Sequence, residues 1–313
     1  MEITRNSINI LILCLLLIQL GCSDEDKDET KQSGSDTIKK PVIVVSNYPL
    51  FYITERLTTR ADIIFPAEDS GDPAYWKPNT EDISIMQKAN LIILNGAGYE
   101  KWLSTISIPT TKIINSLKGF DDQLIKLTDK VTHSHGLEGK HEHSETAFTT
   151  WLDYKLCVQQ AEKVKDALIL FIPSIKKEVE QNFISLKSDL EAIDAKMQAV
   201  ASNFKGKTLY ASHPVYQYLS KAYNLNIISE HWEPDQIPDE LMWEDFEKVL
   251  ASSKATIMLW EDTPLPEVSE RLIGYGVKPI VFNPCGNRPQ DGDFVRVMNK
   301  NIEALNSSMK INK

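Results

Sequence analysis

The sequence has 313 residues and a formal net charge of −10. This charge argues against nucleic acid as a partner, because phosphate binding needs clustered lysine and arginine. An acidic surface is compatible with cation binding, and the length is sufficient for two modest hydrophobic cores.

The N-terminus predicts export and lipid anchoring. Arg5 precedes an apolar stretch, residues 8–20, which has the length of a signal peptide and is too short to span a bilayer, which takes about 20 residues. Small residues then precede Cys22, as in a bacterial lipobox, so residues 1–22 are interpreted as a lipoprotein signal peptide and Cys22 as the lipidated residue. An ordinary secretory signal with a chance cysteine is the alternative. Residues 23–40 are polar and charged, which is typical of a disordered tether on the outer side of the cell membrane.

Short β-branched runs alternate with helical patterns in residues 41–153. Strands are predicted at 42–46, 91–94 and 112–114, and helices at 50–60 and 82–89. This alternation is typical of a parallel α/β lobe.

Residues 154–204 predict one long helix, with a bend at Pro173. They contain no glycine, and aliphatic residues recur at three- and four-residue steps. Strands are then predicted at 208–211, 226–229, 255–259 and 279–282, which indicates a second α/β lobe over residues 205–313. We therefore predict an α/β fold with two Rossmann-like lobes of parallel sheet, joined by one long backbone helix, and a ligand cleft between the lobes.

The strongest chemical pattern is a histidine-rich loop at residues 133–145. It contains His133, His135, His141 and His143 within the segment HSHGLEGKHEH. Imidazole is a preferred ligand of zinc, and a glycine-containing loop lets several rings converge on one ion. A solvated polar loop is the alternative interpretation. Because ordering a flexible loop costs roughly 1 to 2 kcal/mol per residue, we expect a more rigid site elsewhere.

Three polar residues follow predicted strands of the second lobe. His213 comes after strand 208–211, Glu261 ends the next strand but one, and Asn283 follows the last. The carboxyl ends of parallel strands face the crevice where α/β proteins bind ligands, so these residues are candidate metal ligands. For His213 the alternative is a helix-capping or core histidine, and for Glu261 a solvated loop acid.

The tryptophans and the remaining cysteines allow two interpretations each. Trp76, Trp151, Trp232 and Trp260 are most simply packing residues, although several lie in loops that could line the cleft. Cys157 and Cys285 are either a disulfide or two buried thiols, because an oxidising exterior permits pairing if their Cα atoms come within about 7 Å.

In their order along the chain, several segments resemble the zinc and manganese solute-binding lipoproteins of ABC importers. The segments are SNYPLFYITERL (46–57), GDPAYWKPNTEDI (71–83), LIILNGAGYEKWL (91–103), the histidine-rich loop, WLDY (151–154), HPVYQYLSKAYNL (213–225), WEPDQIP (232–238) and FNPCG (282–286). The resemblance implies a rigid, non-catalytic receptor, expected as a monomer, that binds a divalent cation between its lobes and passes it to a membrane permease. The histidine-rich loop favours zinc over the alternative, manganese.

The chain departs from the family pattern at three expected ligands. Ala74 and Thr149 stand where the family has its first two metal histidines, and Asn283 stands where it usually has an acid. His213 is retained. Our hypothesis is therefore that His213, Glu261 and the loop histidines hold zinc.

Other ligand sets and cargoes remain open. His231, which matches no family ligand, is another candidate. A rebuilt cleft lined by Trp76, Trp151 and Trp260 that binds a metal chelate or a small organic molecule is the alternative. A zinc-dependent enzyme is a further alternative, against which stands the absence of HExxH, a serine nucleophile elbow and a glycine-rich phosphate loop.

Overall fold

The computed structural model describes residues 39–68, 70–127, 132–135, 139–142 and 146–309, the two short segments among them by their backbone alone. Cys22, residues 1–22, most of residues 23–40 and His143 lie outside the described residues. No helix among the described residues is long and apolar enough to cross a membrane.

The first lobe is built on a parallel four-stranded sheet. Its elements are β1 (Val42–Val45), α1 (Tyr48–Leu57), β2 (Asp62–Ile64), α2 (Thr80–Lys88), β3 (Leu91–Leu94) and β4 (Ile113–Asn115). The strand order is β2-β1-β3-β4, and every neighbouring pair is parallel. All four residues of β3 are buried, as expected for a strand covered on both faces.

A two-stranded antiparallel ribbon follows, within the segment predicted as the histidine-rich loop. It consists of β5 (Thr132–His135) and β6 (Gly139–Glu142), with His133 directly opposite His141. The interpretation of this segment as a loop is thus corrected in part, because a large share of its backbone forms a hairpin.

Two helices, α3 (Tyr154–Phe171) and α4 (Lys176–Ala201), occupy the interval predicted as one helix. They are separated by a short 3-10 turn, Pro173–Ile175, and pack against each other. Proline cannot donate the hydrogen bond that would continue α3, and its ring would clash with the preceding turn, so α3 ends before Pro173. The packing of α4 back against α3 makes the chain reverse there instead of bending. The prediction of one long connecting helix is confirmed, but its start is corrected from residue 154 to Lys176.

The second lobe repeats the topology of the first. Its elements are β7 (Thr208–Ala211), α5 (Gln217–Tyr223), β8 (Asn226–Ser229), α6 (Glu240–Ser253), β9 (Ile257–Trp260), α7 (Pro266–Gly274), β10 (Lys278–Val281) and α8 (Phe294–Ser308). The order is β10-β9-β7-β8, so in each lobe the first strand lies between the second and the third. Helix α4 packs on α1 of the first lobe and on α8 of the second, which confirms the predicted fold class of two bridged lobes.

Direct contacts fasten the lobes together. Trp151 Nε1 donates a hydrogen bond to the carbonyl oxygen of Pro284 at 2.7 Å. The backbone N–H of Tyr48 donates to the carbonyl oxygen of Gly286 at 3.0 Å. One apolar core extends through both lobes and the two central helices. The cleft therefore has rigid walls.

Candidate metal-binding cleft

A cleft of about 640 Å³ lies between the lobes at the carboxyl ends of both sheets. The residues that line it and matter for the chemistry are Asp72, Tyr75, Thr149, His213, Glu233 and Glu261. In the second lobe, His213 follows β7 and Glu261 follows β9. The chain runs from β7 to β8 on one side of this strand pair and from β9 to β10 on the other. At a point where the connections diverge in this way, an α/β sheet opens a crevice that can bind a ligand.

The lining of the cleft is strongly acidic. Five carboxylate side chains border it: Asp72, Glu233, Asp235, Glu261 and Asp262. No lysine or arginine occurs among the described lining residues. The charge of the cleft therefore favours a cation and disfavours an anionic ligand such as a polycarboxylate metal chelate.

His213 is held in a nearly buried position at the end of β7. Its side chain and backbone are 9% exposed, and the chain turns tightly after it, since the N–H of Val215 donates to the carbonyl oxygen of His213 at 2.9 Å. Nδ1 of His213 lies 3.3 Å from Oε1 of Glu233. A carboxylate against one ring nitrogen is the usual arrangement of a metal-binding histidine, because it orients the ring and leaves the other nitrogen for the ion.

His231 lies beside His213. The two ring centroids are 5.8 Å apart and the rings are nearly perpendicular. The backbone N–H of Trp232 donates to the carbonyl oxygen of Ser212 at 2.7 Å, which ties the segment after β8 to the segment after β7. The structure thus brings together the two histidines outside the histidine-rich segment.

Glu261 is partly buried in the cleft, and its carboxyl group is unusually hard to ionise. Burial, together with the nearby carboxylates of Asp72 and Glu233, raises its pKa to about 8. A divalent cation would relieve this repulsion by replacing the proton. Glu261 is therefore not the solvated loop acid of the alternative interpretation.

Asn283 also lines the cleft, but its amide serves the backbone. Its Oδ1 accepts a hydrogen bond from the N–H of Cys285 at 2.6 Å. Asn301 holds the backbone of Asn283 from both sides, through a donated and an accepted hydrogen bond. These contacts shape the loop after β10, and a role of Asn283 as a metal ligand stays a prediction.

Ala74 and Thr149, which stand in place of the two family histidines, make other contacts in this structure. Ala74 is 1% exposed and lies in the 3-10 turn Pro73–Tyr75. Its backbone N–H donates a hydrogen bond to Oδ1 of Asp72 at 2.8 Å. The Thr149 hydroxyl donates to the carbonyl oxygen of Val215, which joins the two lobes across the cleft.

The described residues that flank the histidine-rich segment line the cleft. Leu127 and Thr146 both line the cleft, immediately before and after residues 128–145. In the ribbon, directly paired positions and alternate positions fall on the same face. By this register, residues 133, 135 and 141 occupy one face of the hairpin.

A buried polar network fixes the returning end of this segment. Asn95 Nδ2 donates to the carbonyl oxygen of Phe148 at 3.0 Å, and Asn95 Oδ1 accepts from Thr150 and from Gln160, each at 3.3 Å. Asn95 directly follows β3, so a rigid strand end determines where the returning segment enters the cleft.

No three His, Cys, Asp or Glu side chains within the part of the chain that the structure describes come close enough to hold a metal by themselves. The side chains of His133, His135 and His141 are not among those described.

The tryptophans are mostly core residues. Trp232 and Trp260 are 1% and 0% exposed and belong to one aromatic cluster, while Trp76 packs edge-on against Trp102. Of the four tryptophans considered, Trp151 alone is among the described residues that line the cleft. The interpretation of Trp76, Trp232 and Trp260 as packing residues is confirmed. The alternative of a cleft lined by Trp76, Trp151 and Trp260 is not favoured, because the rings of Trp76 and Trp260 complete the hydrophobic packing of their lobes.

Cys157 and Cys285 are free and buried. Burial raises the pKa of each thiol to about 12. Of the two alternatives, the structure contains the buried thiols.

Sequence reasoning missed four of the five acidic residues of the cleft: Asp72, Glu233, Asp235 and Asp262. Glu233 follows β8 by four residues, so the rule that identified His213 and Glu261 could have found it. Asp72 lies outside the predicted strands and helices, and its place in the cleft depends on the packing of the first lobe against the second.

A family model for the zinc-uptake complex component A, periplasmic (ZnuA), matches residues 43–308. This chain belongs to the ZnuA family. Members of the ZnuA family are solute-binding proteins, as the sequence predicted. Among relatives, the chain is 22% identical to the high-affinity zinc uptake system protein ZnuA of Bacillus subtilis, over 96% of this chain and 97% of that protein. It is also 22% identical to the zinc-binding lipoprotein AdcA of Streptococcus pneumoniae, over 96% of this chain. It spans only 60% of the length of AdcA.

Solved structures share the ZnuA fold. The metal-dependent lipoprotein YcdH of Bacillus subtilis superposes with a TM-score of 0.73 at 19% identity, over 86% of this chain and 98% of YcdH. The zinc-bound ZnuA-like domain of AdcA from Streptococcus pneumoniae gives a TM-score of 0.72 at 20% identity, with the same coverage. At this identity the likeness concerns the fold, which is two α/β lobes around a cleft.

Proposed function

We propose that this protein is an extracytoplasmic receptor that captures zinc in the cleft between its lobes and delivers it to an ABC importer permease. The observation that carries the proposal is the contact of His213 with Glu233 in an acidic cleft that is also lined by Leu127 and Thr146, the described residues on either side of the histidine-rich segment. The family and the printed names of its zinc-binding relatives support the same cargo.

The proposed ligands are His213 and Glu261, with imidazoles contributed by His133, His135, His141 or His143. Asn283 is the remaining candidate oxygen donor at the edge of the cleft. Zinc is bound by four N, S or O donors, and a set rich in imidazole suits zinc better than manganese, which prefers oxygen ligands. The ion is cargo, so the site must also release it.

The histidines of residues 128–145 are proposed to complete the coordination shell. Since His213 and Glu261 lie on fixed strand ends, they form the preorganised half of the proposed site, and the histidine-rich segment supplies the other half.

The remaining parts of the proposal concern the context of the receptor. Cys22 is proposed to carry the lipid that holds the protein at the outer face of the membrane, with residues 23–40 as tether. The receptor acts as a monomer and without catalysis.

Metal analysis of protein purified without chelator tests this function. We expect about one zinc per chain in the wild type and background zinc in His213→Ala. Gln236→Ala, which changes another polar residue of the cleft, serves as the matched control and should retain zinc. Background metal in the wild type after zinc loading, or an organic molecule in the cleft by native mass spectrometry, would exclude zinc as the cargo.

A second variant tests the contribution of the ribbon. Replacing residues 132–142 by a short glycine-serine linker should weaken zinc binding by at least about tenfold, while the melting temperature of the zinc-free protein stays the same. Unchanged zinc affinity would exclude the ribbon histidines from the site.

A further inference from the structure

The loop after β10 contacts the first lobe through two consecutive side chains as well as through its backbone. Asn287 Nδ2 donates a hydrogen bond to the carbonyl oxygen of Gly71 at 2.9 Å. The next residue, Arg288, forms an ion pair with Glu68. Both partners belong to the segment of the first lobe that follows β2. Two neighbouring side chains of the second lobe therefore hold the same short segment of the first.

Arg288 also covers a pair of aromatic rings on α1. The rings of Tyr48 and Phe51 are stacked, with centroids 6.1 Å apart. The guanidinium carbon of Arg288 lies 4.3 Å from the ring centroid of Phe51 and 5.6 Å from that of Tyr48. At such distances a guanidinium is attracted by the electron-rich face of a ring. Because its planar group stacks on a ring and also fits a carboxylate, arginine suits both contacts better than lysine would.

The backbone of this loop is strained at Cys285. Its φ is 61°, in the left-handed region that residues other than glycine rarely adopt. Its N–H donates to Oδ1 of Asn283 at 2.6 Å, and the carbonyl oxygens of its two neighbours, Pro284 and Gly286, accept hydrogen bonds from the first lobe. A strained residue persists only where surrounding contacts fix it, and such residues are common in clamps. Contacts with the other lobe thus help to determine the turn.

The held segment carries Asp72 into the cleft. Gly71 has a φ of 67°, which glycine adopts without strain, so this part of the chain has little stiffness of its own. Asp72 follows directly and lines the cleft together with Glu261 of the second lobe. The position of the Asp72 carboxylate relative to Glu261 therefore depends on the contact that holds Gly71.

We propose that residues 284–288 form an interlobe clasp, in which Asn287 and Arg288 hold residues 68–71 against the second lobe and thereby position Asp72 in the cleft. The ion pair is partly exposed, with side chains 39% and 37% accessible, so by itself it contributes little. The clasp acts through the ion pair, the ring contact and the hydrogen bonds together. It is a property of the fold that goes beyond the proposed function and does not depend on the cargo.

Pulsed electron paramagnetic resonance on metal-free protein tests the clasp. Nitroxide labels on Lys77→Cys and Glu267→Cys, both at exposed positions, report the separation of the two lobes, while the native cysteines are buried. With the clasp intact we expect one narrow distance distribution. The pair of substitutions Asn287→Ala and Arg288→Gln should add a population whose distance differs by at least about 2 Å, the scale of a loop or domain rearrangement.

Two further variants separate the clasp from a general effect of charge. Glu68→Gln alone should broaden the distribution, but it should add nothing to Arg288→Gln, because both remove the same ion pair. Arg296→Gln breaks an arginine–carboxylate pair with Asp291 that lies within the second lobe, and should leave the distribution unchanged. An equal change in Arg296→Gln would overturn the proposal.

Hydrogen exchange of metal-free protein provides a second readout without labels. The backbone N–H groups of Ala74 and Tyr75 both donate to Asp72, so they should exchange faster when Asn287→Ala and Arg288→Gln release the segment before them. Exchange in α3 and α4 should stay the same. An unchanged distance distribution together with unchanged exchange at Ala74 and Tyr75 would show that the clasp does not hold the lobes.

Discussion

Nδ1 of His213 lies 3.3 Å from Oε1 of Glu233, although the two residues come from loops after different strands, β7 and β8. The contact joins a candidate ligand to the carboxylate that orients it. Both side chains belong to the second lobe, so this part of the proposed site is formed before any ion arrives.

Replacing Glu233 by glutamine should weaken zinc binding without abolishing it. The amide keeps the size of the side chain but removes the charge that stabilises the imidazole in its binding orientation, so we expect a 10- to 100-fold loss of affinity at unchanged stoichiometry. Competition titration against a zinc chelator measures the change. Asp235→Asn removes an equal charge from the cleft lining. An equal loss in this control would mean that the effect is one of overall charge and not of His213 orientation.

Replacing Glu261 by glutamine should stabilise the zinc-free protein at alkaline pH. The folded state keeps a proton on Glu261 up to about pH 8, whereas the ordinary pKa is 4.5. Because the folded state binds the proton more tightly than the unfolded chain, the stability that this proton contributes is lost as pH rises from about 4.5 to 8. Glu261→Gln avoids that loss, so its Tm should exceed that of the wild type at pH 8.5, and the difference should vanish near pH 4.5.

Thermal melts of zinc-free protein at several pH values measure this difference. A gain of 1 kcal/mol corresponds to roughly 2 to 4 °C for a protein of this size. Asp262→Asn removes a neighbouring, exposed carboxylate and is the control. A gain in Tm that does not depend on pH, or one that the control shares, would contradict the role of Glu261 burial. The same Glu261→Gln protein should bind zinc more weakly.

Replacing Thr149 by valine should destabilise the fold and leave zinc binding nearly unchanged. The substitution keeps the shape of the side chain but leaves the carbonyl oxygen of Val215 without its donor from the other lobe, which typically costs about 1 to 3 kcal/mol. Denaturant unfolding measures the loss, with the exposed Thr110→Val as the control. A large fall in zinc affinity, at unchanged stability, would instead identify Thr149 as part of the site.

The two buried thiols should be unreactive in the native protein. Since burial raises the pKa of Cys157 and Cys285 to about 12, the fraction of thiolate at pH 8 is very small. Iodoacetamide should therefore modify neither cysteine until denaturant is added, after which peptide mapping should find both modified. A peptide pair joined through Cys157 and Cys285 in a non-reduced digest would contradict the free thiols.

The fold could be predicted from the sequence because its signals are local. Buried parallel strands appear as short β-branched runs, and the alternation with helices fixes the fold class without knowledge of distant contacts. The boundary at Pro173 was less accessible, since a proline in a long helical pattern is compatible with either a bend or a chain reversal. The choice depends on the packing of α3 against α4.

The candidate site could be predicted only in part. His213 and Glu261 follow strands, and the strand-end rule placed both in the cleft. That His213 and His231 lie side by side could not be predicted, because their closeness depends on the pairing of β7 with β8 and on the backbone hydrogen bond of Trp232. For the tryptophans, the sequence leaves both interpretations open. Composition alone does not distinguish an indole ring of a cleft from one of the core, and Trp260 belongs to the core.

We propose that zinc is held between the lobes by a histidine fixed on the second one. Anomalous diffraction at the zinc edge from crystals of zinc-loaded protein would locate the ion. We expect one strong peak in the cleft, about 2.0 to 2.1 Å from a ring nitrogen of His213 and within bonding distance of Glu261. A cleft without a peak, or zinc bound only to the histidine-rich segment away from His213, would contradict it.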